Sequence, residues 1–128
     1  MLNKLRMRLQ SDEGFTLIEL LVVIIILGIL MAIAIPSYLG FKDRANKSAA
    51  QANVRSAVPG VEAYAADHTG YTGVTLLKLQ ASYDAGIKNI TFGATAPTAT
   101  TYCIQSTVGS YTFFKNGPGA DIVPGTCT

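Results

Sequence analysis

The chain has 128 residues and a formal net charge of +2, which is room for one domain and too little positive charge for the concentrated basic face of a nucleic-acid-binding module. Hydrophobic residues make up 49% of it, a high share for a soluble domain, but the excess is gathered in residues 15–35. The remainder reads as ordinary folded sequence, with polar turns, alternating segments and many Gly and Thr.

Residues 1–14, MLNKLRMRLQSDEG, form a short polar leader in which Lys4, Arg6 and Arg8 are followed by Asp12 and Glu13. Then come 21 residues, FTLIELLVVIIILGILMAIAI, with Glu19 as their single charge. At about 1.5 Å per residue the run spans about 32 Å, against a bilayer core of about 30 Å. Fifteen of its positions are Leu, Ile, Val or Phe. At about 0.3–0.6 kcal/mol each they favour insertion by roughly 5–9 kcal/mol, more than one carboxylate near the end of the span costs. A buried core helix would not need to be apolar all round. A secretory signal peptide is a competing reading, since Ala32-Ile33-Ala34 fits a small-residue cleavage site. Against it, the run is long, contains Glu19, and continues directly into Pro36 and further helix-forming sequence.

Residues 37–68 remain helix-forming and rich in Ala. Val54, Val58, Val61, Tyr64 or Ala65, and His68 recur at helical spacing and predict a stripe packed against a C-terminal sheet. One helix over about residues 15–67 is expected. Gly28, Pro36 and Pro59-Gly60 weaken it. Each proline removes a backbone hydrogen bond and predicts a kink, although Pro59-Gly60 also suits the end of one helix and the start of another. His68, the only histidine, falls at the helix end before Thr69-Gly70, where capping or packing accounts for it. It has no evident partner as a metal ligand or catalytic base.

A short helical turn capped by Thr75 is expected over residues 75–83. Ile90 and Phe92 alternate with polar residues as in a half-buried strand. TTYCIQSTV and SYTFFK follow, joined by a hairpin signal at Gly109-Ser110. The tail, NGPGADIVPGTCT, is rich in Gly and Pro and is expected to be irregular. Cys103 and Cys127 make no CxxC and have no His or Cys neighbours at metal-ligand spacing. In a chain that enters a membrane they read as one disulfide in an oxidising compartment. The basic residues before the span are nearly balanced by Lys42, Arg44 and Lys47 after it, so charge barely sets orientation. The disulfide does: the C-terminal part lies outside and the leader in the cytoplasm.

The string GFTLIELLVVIIILGILMAIAIPSY resembles the N-terminus of type IV pilins and the related pseudopilins, closely over about residues 13–46 and only in general layout beyond. The resemblance implies an α+β pilin fold, one long N-terminal helix packed against a small antiparallel sheet. It implies a prepilin peptidase cutting after Gly14, N-methylation of the new terminus at Phe15, and an assembly role for Glu19. It also implies a proline, Pro36, at the end of the apolar half, where the helix could unwind in a packed filament. On that reading residues 1–14 are the leader, 15–36 the membrane and filament-core segment, and 37–128 the exported head. The partners implied are further copies of the chain in a helical homopolymer, the peptidase, the pilus assembly machinery, and the membrane before assembly.

Elementary chemistry agrees. Gly14 suits a cleavage position that enters a protease cleft extended. Cutting there leaves an amine on Phe15, and Glu19 follows four residues on, on the same helical face. A charge in an apolar medium needs a partner, so Glu19 is expected to pair with the Phe15 amine of its own chain or a neighbour's. Nothing in the head supports catalysis or a cofactor. Asp84 and Asp121 are far apart in sequence, there is no P-loop or dinucleotide fingerprint, and one Asp in the tail is thin support for calcium. Tyr71, Tyr83 and Tyr111 suit adhesion or, more simply, half-packed sheet and loop positions. The leading expectation is a pilus structural subunit and the alternative a type II secretion pseudopilin. A membrane-anchored enzyme or soluble secreted binder forms a third class.

Overall fold

The computed structural model describes residues 3–4 and 14–128. The predicted leader therefore lies outside the described residues except at Asn3, Lys4 and Gly14. The described chain forms two compact units that divide after Gly40. Its elements run α1 (Leu17–His68), α2 (Leu76–Ser82), β1 (Thr91–Phe92), β2 (Tyr102–Val108), β3 (Tyr111–Gly117) and β4 (Val123–Pro124).

In the first unit, α1 exposes every side chain as far as Gly40. With Leu, Ile or Val at most of these positions the helix has no polar face, the composition of a segment that needs apolar surroundings on all sides. It is the one helix among the described residues long and apolar enough to cross a membrane.

In the second unit α1 has a sharp inner face of Ala50, Val54, Ala57, Gly60, Val61 and Tyr64. This face differs from the predicted stripe at both ends. It begins a turn earlier, on small residues, while Val58 and Ala65 are half-buried and His68 is exposed. Small side chains let neighbouring segments approach closely. A Cβ on Gly60 would sit 2.6 Å from Ile87 Cδ1. Gly60 is thus a packing position, and neither Pro36 nor Pro59 ends the helix, which runs unbroken from Leu17 to His68. That excludes the alternative of two helices meeting at Pro59-Gly60.

The helix ends where the sequence suggests. Thr69 takes the left-handed conformation (φ 57°) and the Gly70 N–H donates to the Ala65 carbonyl at 3.0 Å, a Schellman-type closure. Gly70 itself packs against Ala99, whose carbonyl oxygen would lie 2.5 Å from an added Cβ. His68 stacks on the Tyr64 ring with centroids 4.1 Å apart. Helix α2 is capped as expected, Thr75 Oγ1 accepting from the Lys78 N–H at 3.3 Å.

The sheet is an antiparallel meander in the order β1-β2-β3-β4. β2 and β3 pair from Tyr102↔Gly117 to Val108↔Tyr111 around the two-residue turn at Gly109-Ser110, where Gly109 has φ 60°. β4 corrects the expectation of an irregular tail, since Val123 and Pro124 pair with Phe114 and Phe113. Two residues, one of them Pro and the next Gly125, carry no readable alternation. Leu79, Ile87 and Ile104 are fully buried at the centre with Val54 and Val61. Each larger side chain contributes about 1.5–3 kcal/mol. Together these elements form the α+β pilin fold.

Cys103 on β2 is joined to Cys127 at 2.01 Å. Gly93 makes room for the bridge, because a Cβ there would lie 2.6 Å from Cys127 Cβ. The Cys127 N–H also donates to Gln105 Oε1 at 2.8 Å. Replacing either cysteine with Ser should lower head stability by roughly 3–4 kcal/mol. In hydrogen exchange, the amides of the tail and β4 should lose protection well before those of α1.

Candidate assembly site

Gly14, Phe15 and Thr16 are not helical, and α1 starts at Leu17. Gly14 is exposed and a Cβ there would meet nothing within 4 Å. Phe15 is 90% exposed. Thr16 is the N-cap. The Glu19 N–H donates to Thr16 Oγ1 at 3.3 Å, and the Thr16 N–H donates back to Glu19 Oε2 at 2.9 Å. This reciprocal pair is a capping box, with Glu19 three residues into the box and near the positive end of the helix dipole.

The two sequence-predicted residues Phe15 and Glu19 thus flank the helix start, but in the uncut chain the Glu19 carboxylate is engaged by the Thr16 amide. Thr16 is the site residue that sequence reasoning missed. The signal was present, Thr followed three residues later by Glu before an apolar run.

The other residues singled out have structural partners. Glu62 accepts from Tyr71 Oη at 2.9 Å and from Tyr102 Oη at 3.1 Å, tying α1 to the loop after it and to β2. Tyr71 is therefore buried, not an exposed adhesive residue. Tyr83 donates to Asp67 at 2.9 Å, and Tyr111 lies under Lys47 Nζ at 4.8 Å from the ring centre. Asp84 accepts from the Gly86 N–H at 2.7 Å. Asp121 lines a groove together with Arg55 and Lys115.

Burial and the neighbouring Glu62 carboxylate push the Tyr102 phenol far above its ordinary range. An unfolded tyrosine ionises near pH ~10, so above that pH the unfolded chain releases a proton that the folded chain retains, and stability falls. Thermal unfolding of the full chain in detergent should show Tm declining above pH ~10, with a shallower decline for Tyr102→Phe.

Residues 9–35 match the prokaryotic N-terminal methylation motif. The chain is 35% identical over 96 residues to the type IV wide pilus major component PilA4 of Thermus thermophilus, covering 75% of this chain and 73% of that protein. It is 34% identical over 107 residues to the type IV narrow pilus major component PilA5 of the same organism, covering 82% and 89%. The type II secretion system core protein G of Klebsiella michiganensis is 37% identical over 65 residues, covering 51% and 46%. The chain belongs to the type IV pilin family.

Proposed function

We propose that this protein is the structural subunit of a type IV pilus, inserted in the membrane as a precursor, cut after Gly14, N-methylated at Phe15 and polymerised through α1. The observation that carries the reading is the fully exposed apolar stretch of α1 opened by one carboxylate at its first turn. Such a surface needs lipid before assembly and other copies of itself afterwards. Residues 1–14 are the leader, 15–36 the membrane and filament-core segment, and 37–128 the exported head, with the Cys103–Cys127 bridge formed outside the cell. The hydrogen bond missing at Pro36 makes that turn, and likewise the one at Pro59, a place where the helix bends as subunits pack.

Cutting after Gly14 converts the Phe15 amide into an amine. Glu19 then has a cationic partner next to the Thr16 N–H it already binds, in its own chain or a neighbour's. Processing precedes assembly because it creates that partner. The peptidase and the pilus assembly machinery are the partners this sequence of events requires.

N-terminal mass spectrometry of the mature protein should find Phe15 first, carrying one methyl group. A start at Ile35 would overturn the reading in favour of a secretory signal, and a bulky residue in place of Gly14 should leave full-length precursor in the membrane. The matches to secretion core proteins favour one second reading, a type II pseudopilin. Surface filaments with this chain as their main component decide for the pilus, and a short periplasmic assembly required for protein export decides against it.

A further inference from the structure

Residues 89–91 read Asn-Ile-Thr, the acceptor pattern Asn-x-Thr for N-linked sugar. The fold sorts these three side chains by their surroundings. Ile90 is 2% exposed and belongs to the core, whereas Asn89 and Thr91 on either side of it are exposed. The two residues an N-glycosyl transferase must read together therefore lie outside, and the one it ignores is inside.

Asn89 stands in the left-handed region (φ 56°) at the turn before β1. Its backbone carbonyl accepts from Ser106 Oγ at 2.6 Å, and that hydroxyl in turn accepts from Asn53 Nδ2 at 3.1 Å. The main chain at Asn89 is thereby tied to β2 and α1, while its carboxamide has no hydrogen bond among the described residues. Thr91 pairs through its backbone with Gln105 and likewise leaves its hydroxyl unengaged among the described residues. A left-handed turn alone would be met by Gly or Asn. It does not call for an exposed threonine two residues later.

We propose that Asn89 is an N-glycosylation site, taking an oligosaccharide from a polyprenyl-diphosphate-linked donor on the outer side of the membrane. A bond forms between the Asn89 side-chain nitrogen and the sugar's anomeric carbon. The bond from that carbon to the diphosphate oxygen breaks, polyprenyl diphosphate leaves, and the amide proton passes to a carboxylate base of the transferase. The Thr91 hydroxyl is the recognition group. This rests on the proposed export of the head, the side on which the Cys103–Cys127 bridge also forms.

The test uses protein purified from its own host as wild type, Thr91→Ala, Thr91→Ser and Asn89→Gly. After reduction, cleavage at Tyr83 and Phe92 gives the peptide 84–92 for mass spectrometry. Wild type and Thr91→Ser should carry a hexose- or hexosamine-containing mass on Asn89. Thr91→Ala should lose it while keeping Asn89, and Asn89→Gly should lose it while keeping the turn and normal protein yield. Unmodified Asn89 in wild type, or sugar found only on Thr95, Thr98 or Thr100, would overturn the proposal. Alkylating the same sample before reduction keeps the two readings apart. A closed Cys103–Cys127 bridge with bare Asn89 sinks the glycan alone, whereas free thiols with bare Asn89 sink the export reading with it.

Discussion

Glu19→Ala and Glu19→Gln should both insert into the membrane, fold the head normally and lose most surface filaments. The capping box makes the pair of substitutions informative. Glutamine can still accept from the Thr16 N–H and so preserves the reciprocal cap, while alanine removes the charge and the side-chain half of the box, leaving the residue 19 N–H donating to Thr16 Oγ1. If the charge is what assembly uses, the two variants fail alike. The physical reason is register. Stripes of Leu, Ile and Val pack almost equally well at several axial offsets, whereas a buried carboxylate without its ammonium partner costs roughly 3–5 kcal/mol. A penalty of that size lowers the occupancy of an out-of-register contact by a hundredfold or more, on the scale of about 1.4 kcal/mol per tenfold, and either substitution removes it. Filament counts should be read beside membrane-level subunit for wild type and both variants. Normal filaments from Glu19→Gln would reduce the glutamate to a helix cap, and normal filaments from Glu19→Ala would make it a passenger.

Gly117→Val should damage the head about as much as loss of the disulfide. Tyr102 lies directly across from Gly117 in the β2–β3 register, and its ring covers the glycine so closely that a Cβ there would fall 2.0 Å from Cζ. The ring cannot move without consequence. Its hydroxyl is held by Glu62, and its face packs on Tyr71 with centroids 4.6 Å apart. Valine therefore forces apart a glycine–aromatic pair and leaves a half-buried carboxylate short of a donor. Overpacking costs about 1–3 kcal/mol and the lost hydrogen bond adds about 1 kcal/mol. For a head of this size that is a Tm lower by on the order of 10–20 °C. Circular dichroism of the full chain in detergent measures it, and a shift under a few degrees would show that the ring has somewhere else to go.

What the sequence made legible follows from the range of each signal. The apolar span, the Thr75 cap, the hairpin at Gly109-Ser110 and the helix end at His68 are set by residues within a few positions of each other, and all are where local reasoning puts them. Gly60 reads locally as a helix breaker beside Pro59, and only Ile87, far along the chain, shows it to be a packing residue. Glu62 has no local mark at all. Its partners Tyr71 and Tyr102 come from a loop and a strand that sequence spacing cannot align. β4 failed for another reason, since two residues are too few for alternation to register. The candidate site was legible because it is local, and Thr16 went unread beside Glu19 although their spacing was in view.

The two outer strands are the shortest elements of the head. β1 and β4 each have two residues, and Pro124 has no N–H to offer an approaching chain. Long open edges invite further strands, and proteins blunt them by shortness and by proline. A subunit that polymerises at high local concentration is especially exposed to that hazard, because every neighbour presents the same sheet. Ending the meander on two truncated strands leaves almost no backbone free for cross-β growth. The sheet of the head therefore offers a poor template for cross-β pairing between copies.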